Sequence, residues 1–532
     1  MKPEETVKTE NYWAACREIA GILASEKHAD RRVVHRVKLR VSSRFRLPMV
    51  PSNSDILASA PERLRDRLRS ILMVKPSRSS SGVVVVAAMA MPMPCPHGRC
   101  FYCPGGPSRN TPQSYTGLEP AAMRAIQNDY DPFKQVSQRI RQLEAAGHVV
   151  QKAELIIMGG TFPAAPLDYQ KTFVKGCFDA LNGFVSQSLE EAHRLNESSS
   201  IRCVGLTVET RPDYCREDHV DKMLSMGVTR VEIGVQTLRD DVLERVERGH
   251  RVGDTVNAFR IAKDAGLKIV AHMMPGLPGM SVEDSLEDFR KLYFDERFRP
   301  DMIKIYPTLV VEGTKLYEAW MRGDYKPLED EEAAELVARI LEITPPWVRI
   351  MRVQRDIPAN AIAAGVRKSN LREIAHRILE SRGSKCRCVR CREVGFSKSR
   401  VSLENIRLVV RKYGASGGVE YFLSFEDLEN DVLLAYLRLR KPSPYAHRRE
   451  VNEASSMIVR ELKALGRAIP LGTRVKESWQ HRGLGAMLME EAEKIAVENG
   501  AEKILVISAV GVREYYRRLG YFFDGTYMVK NL

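Results

Sequence analysis

Residues 82–106 read GVVVVAAMAMPMPCPHGRCFYCPGG, an apolar run that ends in prolines and passes directly into a loop with three thiols, Cys95, Cys100 and Cys103. The valine-rich first part predicts a buried strand, and the cysteines follow its C-terminal end. Three thiolates are one short of the usual ligand set of a 4Fe-4S cluster, so one iron would stay open to a small molecule. A zinc knuckle with His97 as fourth ligand is the alternative.

Working outward, short apolar runs recur at 154–158, 203–208, 230–235, 267–273 and 302–306. Amphipathic segments fill the gaps, among them 168–181, 218–226, 254–265 and 281–294. This alternation predicts an α/β fold with a parallel sheet, a (βα) barrel or part of one, whose chemistry lies at the C-terminal strand ends. The cysteine loop then sits at the mouth. Gly159 and Gly160 end the second run, where missing side chains permit close backbone approach to a ligand.

The flanks differ from this centre. Residues 1–80 predict a small helical module with a cationic face, carrying Arg31, Arg32, Arg36, Lys38, Arg40, Arg44 and Arg46 among apolar residues; a solvated surface that binds nothing is the alternative. After the repeat (81–383), residues 384–401 form a basic linker with a second triplet, Cys386, Cys388 and Cys391. That spacing suits a structural zinc site, with His376 or water as candidates for the fourth ligand. Residues 402–532 predict a separate α+β domain with a hairpin turning at Glu426 to Asp431. In it, Gln480-His-Arg-Gly483-Leu484-Gly485 opens a helix. The amides at such a helix start form a pyrophosphate site; an ordinary strand-to-helix turn is the alternative.

The 532 residues carry a formal net charge of +14, with 44% hydrophobic and 28% charged residues. The charge favours a polyanionic partner. Six of ten cysteines lie in the two triplets, which suits metals better than disulfides and predicts a reducing, cytoplasmic setting. No apolar run reaches the ~18 residues that cross a bilayer, so no membrane partner is expected, and the charged start predicts no signal peptide.

The strings CPHGRCFYCPGG, QSYTGLEPAAMRAI, MGGTF, ETRPDYC, EIGVQT, AHMMPGLPG and VQRDIP resemble the radical S-adenosylmethionine (SAM) enzymes. More narrowly, they resemble the catalytic subunit of the Elongator complex and its single-chain archaeal and bacterial relatives. The Cys-x4-Cys-x2-Cys spacing departs from the x3 and x2 of the wider superfamily. The resemblance implies a partial radical-SAM barrel in which Cys95, Cys100 and Cys103 hold the cluster, and Glu209, Glu232 and Gln236 contact SAM. Hydrogen bonding at a barrel mouth is the alternative role for those three.

The Gln480 to Gly485 turn, with its flanking strands, resembles the Gcn5-related N-acetyltransferases (GNAT). That likeness implies acetyl-CoA held by Gln480, Gly483, Leu484 and Gly485, by Glu461, Leu462 and Lys463 on the preceding strand, and by Tyr515 and Tyr516, with Tyr516 near the thiol. Lys152 resembles an Elongator lysine that reaches acetyl-CoA from the radical domain; an exposed lysine at a strand start is the alternative.

Together these likenesses imply radical activation of the acetyl methyl group and its addition to C5 of the wobble uridine in a tRNA anticodon stem-loop, giving 5-carboxymethyluridine. A protein lysine N-acetyltransferase with a structural cluster is the rival enzyme, and an RNA-binding scaffold the rival of another class. The sequence leaves homodimerisation and accessory subunits open.

Overall fold

In the computed structural model, the described residues are 8–26, 29–73, 81–397, 401–466 and 483–532. Seven strands lie side by side in chain order: β1 (Val84–Met89), β2 (Lys152–Met158), β3 (Arg202–Thr210), β4 (Arg230–Gln236), β5 (Lys268–Met273), β6 (Met302–Ile305) and β7 (Arg349–Val353). The registered pairs from β3 to β7 are parallel, as successive βα units produce. The expected partial barrel is therefore present. Its seventh strand is an addition to the expectation, because Arg349 and Arg352 interrupt the apolar run that would have announced it.

Side chains alternate across this sheet. On β4, Val231, Ile233 and Val235 are fully buried apolar residues, while Arg230, Glu232, Gly234 and Gln236 share the other face. Glu232, Gly234 and Gln236 line a common cavity with His272 on β5 and Lys304 on β6.

A second sheet of seven strands has the order β13-β14-β12-β11-β10-β9-β8. Its members are β8 (Ile406–Ala415), β9 (Gly418–Asp427), β10 (Val432–Lys441), β11 (Ser456–Ala464), β12 (Lys503–Val506), β13 (Phe522–Asp524) and β14 (Tyr527–Asn531). The hairpin between β9 and β10 turns within the predicted acidic segment. β11 and β12 are the parallel pair of this sheet, and they are in register over four residues only, Ser456–Val459 against Lys503–Val506. β11 then parts from β12 and runs on paired with β10 only. The helix Leu484–Glu498 packs its Leu488, Met489, Ala492 and Ala496 on one sheet face, in a core with Leu437, Val459 and Ile504.

The opposite face of that sheet meets the barrel through buried charges. Arg440 donates to Asp264 at 2.6 Å and to Glu420 at 3.0 Å. Arg460 donates to Asp301 at 3.0 Å and to the Leu267 carbonyl at 2.7 Å. Arg438 donates to the Trp347 carbonyl at 2.7 Å and to Glu461 at 2.9 Å. Each guanidinium here is almost fully buried, and such charges are tolerable only when paired and hydrogen-bonded.

The described residues divide into two compact units, 1–84 with 137–152, and 85–136 with 153–532. The first contains the helices Glu10–Ser25, Arg31–Arg44, Asn53–Ser59 and Glu62–Leu72 and most of Pro132–Ala145, with a core that includes Ile19, Leu23, Val37, Val41, Ile56 and Leu68. In Arg31–Arg44, Asp30 caps the start by accepting from the Val33 amide, and Val34, Val37 and Val41 form the buried stripe. Arg31, Arg32, Arg36, Arg40 and Arg44 lie outside it and are exposed, as the helical period requires. No described helix is long and apolar enough to cross a membrane.

Candidate active site

The cysteine loop is anchored by backbone bonds at Phe101, whose amide donates to the Val246 carbonyl and whose carbonyl accepts from the Leu316 amide, both at 3.0 Å. Cys100, Tyr102 and Cys103 are buried with Val242, Val246, Met274, Leu277 and Leu316. Each thiol has a polar neighbour. Cys103 Sγ accepts from the Ser114 amide at 3.1 Å, Cys95 Sγ lies 3.7 Å from Thr161 Oγ1, and Cys100 Sγ lies 3.1 Å from His97 Nε2. The buried Arg248 guanidinium donates to Cys100 Sγ at 3.4 Å and to the Gly234 carbonyl at 3.0 Å.

Burial pushes the Cys95 and Cys103 thiols up; Thr161 and Arg248 counter this at Cys95, and the Ser114 amide does so at Cys103. Such thiols need a cation to ionise, which metal ligation supplies. Among the described residues, only the second triplet brings three donor atoms within 4.8 Å of one another. The first triplet is thus too widely set for a single ion. Three thiols on one loop with a wider spacing suit a polynuclear cluster, whose irons take one thiolate each.

Beside the loop lies a cavity of about 120 Å³ whose lining includes Tyr102, Gly160, Glu209, Gln236, His272 and Lys304. Glu209 accepts from Tyr115 Oη at 2.6 Å and from the amides of Gly159 and Gly160 at 3.1 and 3.4 Å. These glycine amides are therefore committed to Glu209. Glu232 is fully buried, lies 3.0 Å from His272 Nε2, and forms an ion pair with Lys304. Although burial opposes ionisation, Lys304, His272 and Arg230 hold its carboxyl far below the usual range. Gln236, with φ of 72°, ends β4 in left-handed backbone and faces the cavity.

In the second sheet, Gly483 adopts φ of 82° and starts the helix Leu484–Glu498, leaving the first helical amides directed outward. A Cβ on Gly485 would meet Tyr515 Oη at 2.9 Å and Leu462 Cδ2 at 3.8 Å. Gly485, Tyr515 and Leu462 therefore surround one point, beyond where β11 and β12 part. Tyr516 turns inward instead; it is 6% exposed in the core and packs on Tyr521.

The three β11 residues expected to line the acetyl arm divide between two faces. Leu462 packs on the core under the helix, whereas Glu461 pairs with Arg438 toward the barrel. Lys463 adds to the positive field that holds Glu154 of β2 low. The pleat divides any three successive residues, and a bulge just before them decides which face each takes. In the β10 pairing, Arg438 opposes Glu461 and Leu439 opposes Val459, so Arg460 has no opposite number. One extra residue reverses the alternation that follows it.

Cys386, Cys388 and Cys391 converge, and His376 Nε2 lies 3.7 Å from Cys391 Sγ. Hydrogen bonds from Cys386 and Cys391 hold the Cys388 thiol well below its usual range, and Arg372 adds to this. Arg372 Nη2 lies 3.5 Å from Cys391 Sγ. Three sulfurs on this scale fit three corners of a tetrahedral ion with bonds of about 2.3 Å, while His376 lies near Cys391 but outside the converging group.

Lys152 opens β2 and is half-buried. Gln480 lies outside the described residues. Sequence reasoning missed Arg248, Tyr115, His272 and Lys304. For the last two a signal existed: His272 and Lys304 each interrupt an otherwise apolar strand, KIVAHM and MIKI. Arg248 carries no such pattern, since it follows a short helix and reaches Cys100 across 148 residues.

A barrel with a thiol loop at its mouth, joined to a splayed sheet with a glycine-started helix, defines a radical-SAM enzyme carrying an acyltransferase domain. Profiles of known families agree. The Radical SAM superfamily matches residues 92–292, its C-terminal domain 300–381, the ELP3 N-terminal domain 12–80 and the Acetyltransferase (GNAT) family 406–521. The chain is 51% identical to the tRNA uridine(34) acetyltransferase of Methanocaldococcus jannaschii over 91% of its own length and 90% of the relative's. It is 47% identical to human Elongator complex protein 3 over 94% and 93%. Among solved structures, archaeal Methanocaldococcus infernus Elp3 with an N-terminal deletion superposes with a TM-score of 0.76 at 47% identity, covering 85% of this chain and all of that one. The chain belongs to the Elongator complex protein 3 family.

Proposed function

We propose that this protein modifies uridine 34 of tRNA, using acetyl-CoA and SAM to build a carboxymethyl group on C5 of the base. The observation that carries this reading is the coexistence, within one compact unit, of the cavity beside the three-thiol loop and the glycine-started helix. An ordinary acetyl transfer needs no radical, so the pairing is explained if the radical acts on the acetyl methyl group. The relatives' description as tRNA uridine(34) acetyltransferases supports the substrate.

Cys95, Cys100 and Cys103 would hold a 4Fe-4S cluster. With SAM bound, that group supplies a 5′-deoxyadenosyl radical. The chain's part is placement and shielding. Arg248 offsets the negative charge of the thiolates, while Val242, Val246 and Leu316 keep water from the loop. Gln236 and the Glu209 carboxylate line the space for SAM. Leu484, Gly485 and Tyr515 would cradle acetyl-CoA, with Gln480 and Lys152 as further contacts. The cationic helices of the N-terminal unit would hold tRNA phosphates, and an unpaired anticodon base enters a cavity without the cost of opening a duplex. Cys386, Cys388 and Cys391 would bind a structural zinc ion, with His376 or water as the fourth ligand.

Anaerobically reconstituted protein, given tRNA, acetyl-CoA, SAM and a reductant, should form 5′-deoxyadenosine and 5-carboxymethyluridine. Both should be lost in Cys103→Ala. Acetylated protein as the only product, or modified uridine persisting in that variant, would refute the reading.

A further inference from the structure

We propose that His272 is the base that removes the C5 proton of the target uracil, with Glu232 and Lys304 as its positioning residues. The role rests on the carboxymethylation reading and adds to it the group that completes the substitution.

The geometry comes from the pleat. His272 on β5, Glu232 on β4 and Lys304 on β6 face the barrel interior and line the same cavity as Tyr102 of the cysteine loop. His272 Nε2 lies 3.0 Å from Glu232 Oε2, and Lys304 pairs with that same oxygen. A carboxylate kept ionised by Lys304 can only accept, so Nε2 carries the imidazole proton and Nδ1 keeps a free lone pair. Among the described residues Nδ1 has no hydrogen-bonding partner, and the ring stands edge-on to Tyr306, 5.5 Å between centroids. The groups facing the imidazole are Glu232, Lys304, Glu209 and Tyr306. Burial, reinforced by Lys304, keeps the ring on the neutral side of its ordinary range, the form a base requires.

The reaction needs such a group. When an acetyl-derived carbon radical bonds to C5, the C5–C6 π bond opens and the spin is left on C6. Restoring the double bond requires the C5–H bond to break, its proton passing to His272 Nδ1. One electron must also leave the ring for a one-electron acceptor of the iron–sulfur class. The resulting imidazolium faces the Glu232 carboxylate, which stabilises it until the proton is released to solvent.

Two measurements test this. In metal-free, full-length protein labelled with ¹⁵N-histidine, the resonances absent from His272→Gln should report a neutral ring protonated on Nε2 at pH 7. Glu232→Gln should shift that tautomer balance. An imidazolium, or a ring protonated on Nδ1, overturns the role. In the reconstituted reaction, His272→Gln should lower carboxymethyluridine at least 100-fold more than it lowers 5′-deoxyadenosine. The residual rate should slow on 5-deuteration of uridine 34. Equal loss of both products, or no isotope effect, refutes the assignment. A wild-type enzyme that forms no carboxymethyluridine overturns the underlying reading and the role with it.

Discussion

Arg440 of β10 and Asp264, 176 residues apart in the chain, form an ion pair at 2.6 Å in which neither side chain is exposed to solvent. Asp264 also accepts from the Ser443 amide, so its carboxylate ties the acyltransferase sheet to the barrel at two points. Removing one partner leaves a buried, unpaired charge, which costs about 3–5 kcal/mol. Asp264→Ala should accordingly unfold at markedly lower denaturant concentration than wild type. A midpoint unchanged within error would show that the ion pair contributes nothing.

Lys263 lies in the same interface, beside Glu420 and fully buried, and burial pulls its ammonium down to about 7. The unfolded chain holds this proton up to the 10.5 of a free lysine. Between those values the unfolded state binds more protons, so stability should rise with pH over that window and level off below it. Urea titrations at several pH values would show the rise. Lys263→Met should reduce the slope, and an identical slope in the variant would rule out Lys263 as its source.

Gly485 lies so close to Tyr515 that any side chain must displace its hydroxyl, while Leu462 is in ordinary contact. Gly485→Val should weaken acetyl-CoA binding at least tenfold by calorimetry while tRNA affinity stays within a factor of two. Unaltered acetyl-CoA affinity would move the cofactor away from this helix start.

The exposed arginines of the helix Arg31–Arg44 give a salt-dependent test. Converting Arg32, Arg36 and Arg40 to Ala should lower tRNA affinity, and should reduce the slope of log K against log salt by about 0.7–0.9 for each phosphate that is no longer neutralised. Weaker binding with an unchanged slope would place the phosphates elsewhere.

Zinc content should approach one ion per chain, falling in His376→Ala, and a chelator should lower the melting temperature by several degrees because metal affinity contributes to folding free energy. Full occupancy in His376→Ala would leave the fourth position to another ligand.

Much of this arrangement was legible in the chain because apolar runs and helical periods report burial directly. The six anticipated strands and the helices at 167–182, 217–225, 252–264 and 282–294 lie within a few residues of expectation. What escaped were features set by tertiary partners. The commitment of the Gly159 and Gly160 amides to Glu209 depends on a residue 50 positions away. Tyr515 and Tyr516 are adjacent and chemically alike, and only the packing of Tyr521 and Gly485 decides which one faces the helix start.

The unmatched Arg460 on β11 has a consequence for descent. Because Glu461 already stands opposite Arg438 and Val459 opposite Leu439, deleting that single extra residue would leave Glu461 toward the barrel and Leu462 under the helix, and would remove only the Arg460 bonds to Asp301 and the Leu267 carbonyl. An insertion of this kind can be gained or lost in descent without re-aiming the strand beyond it, so the interface can acquire a cation while the helix side is left as it was.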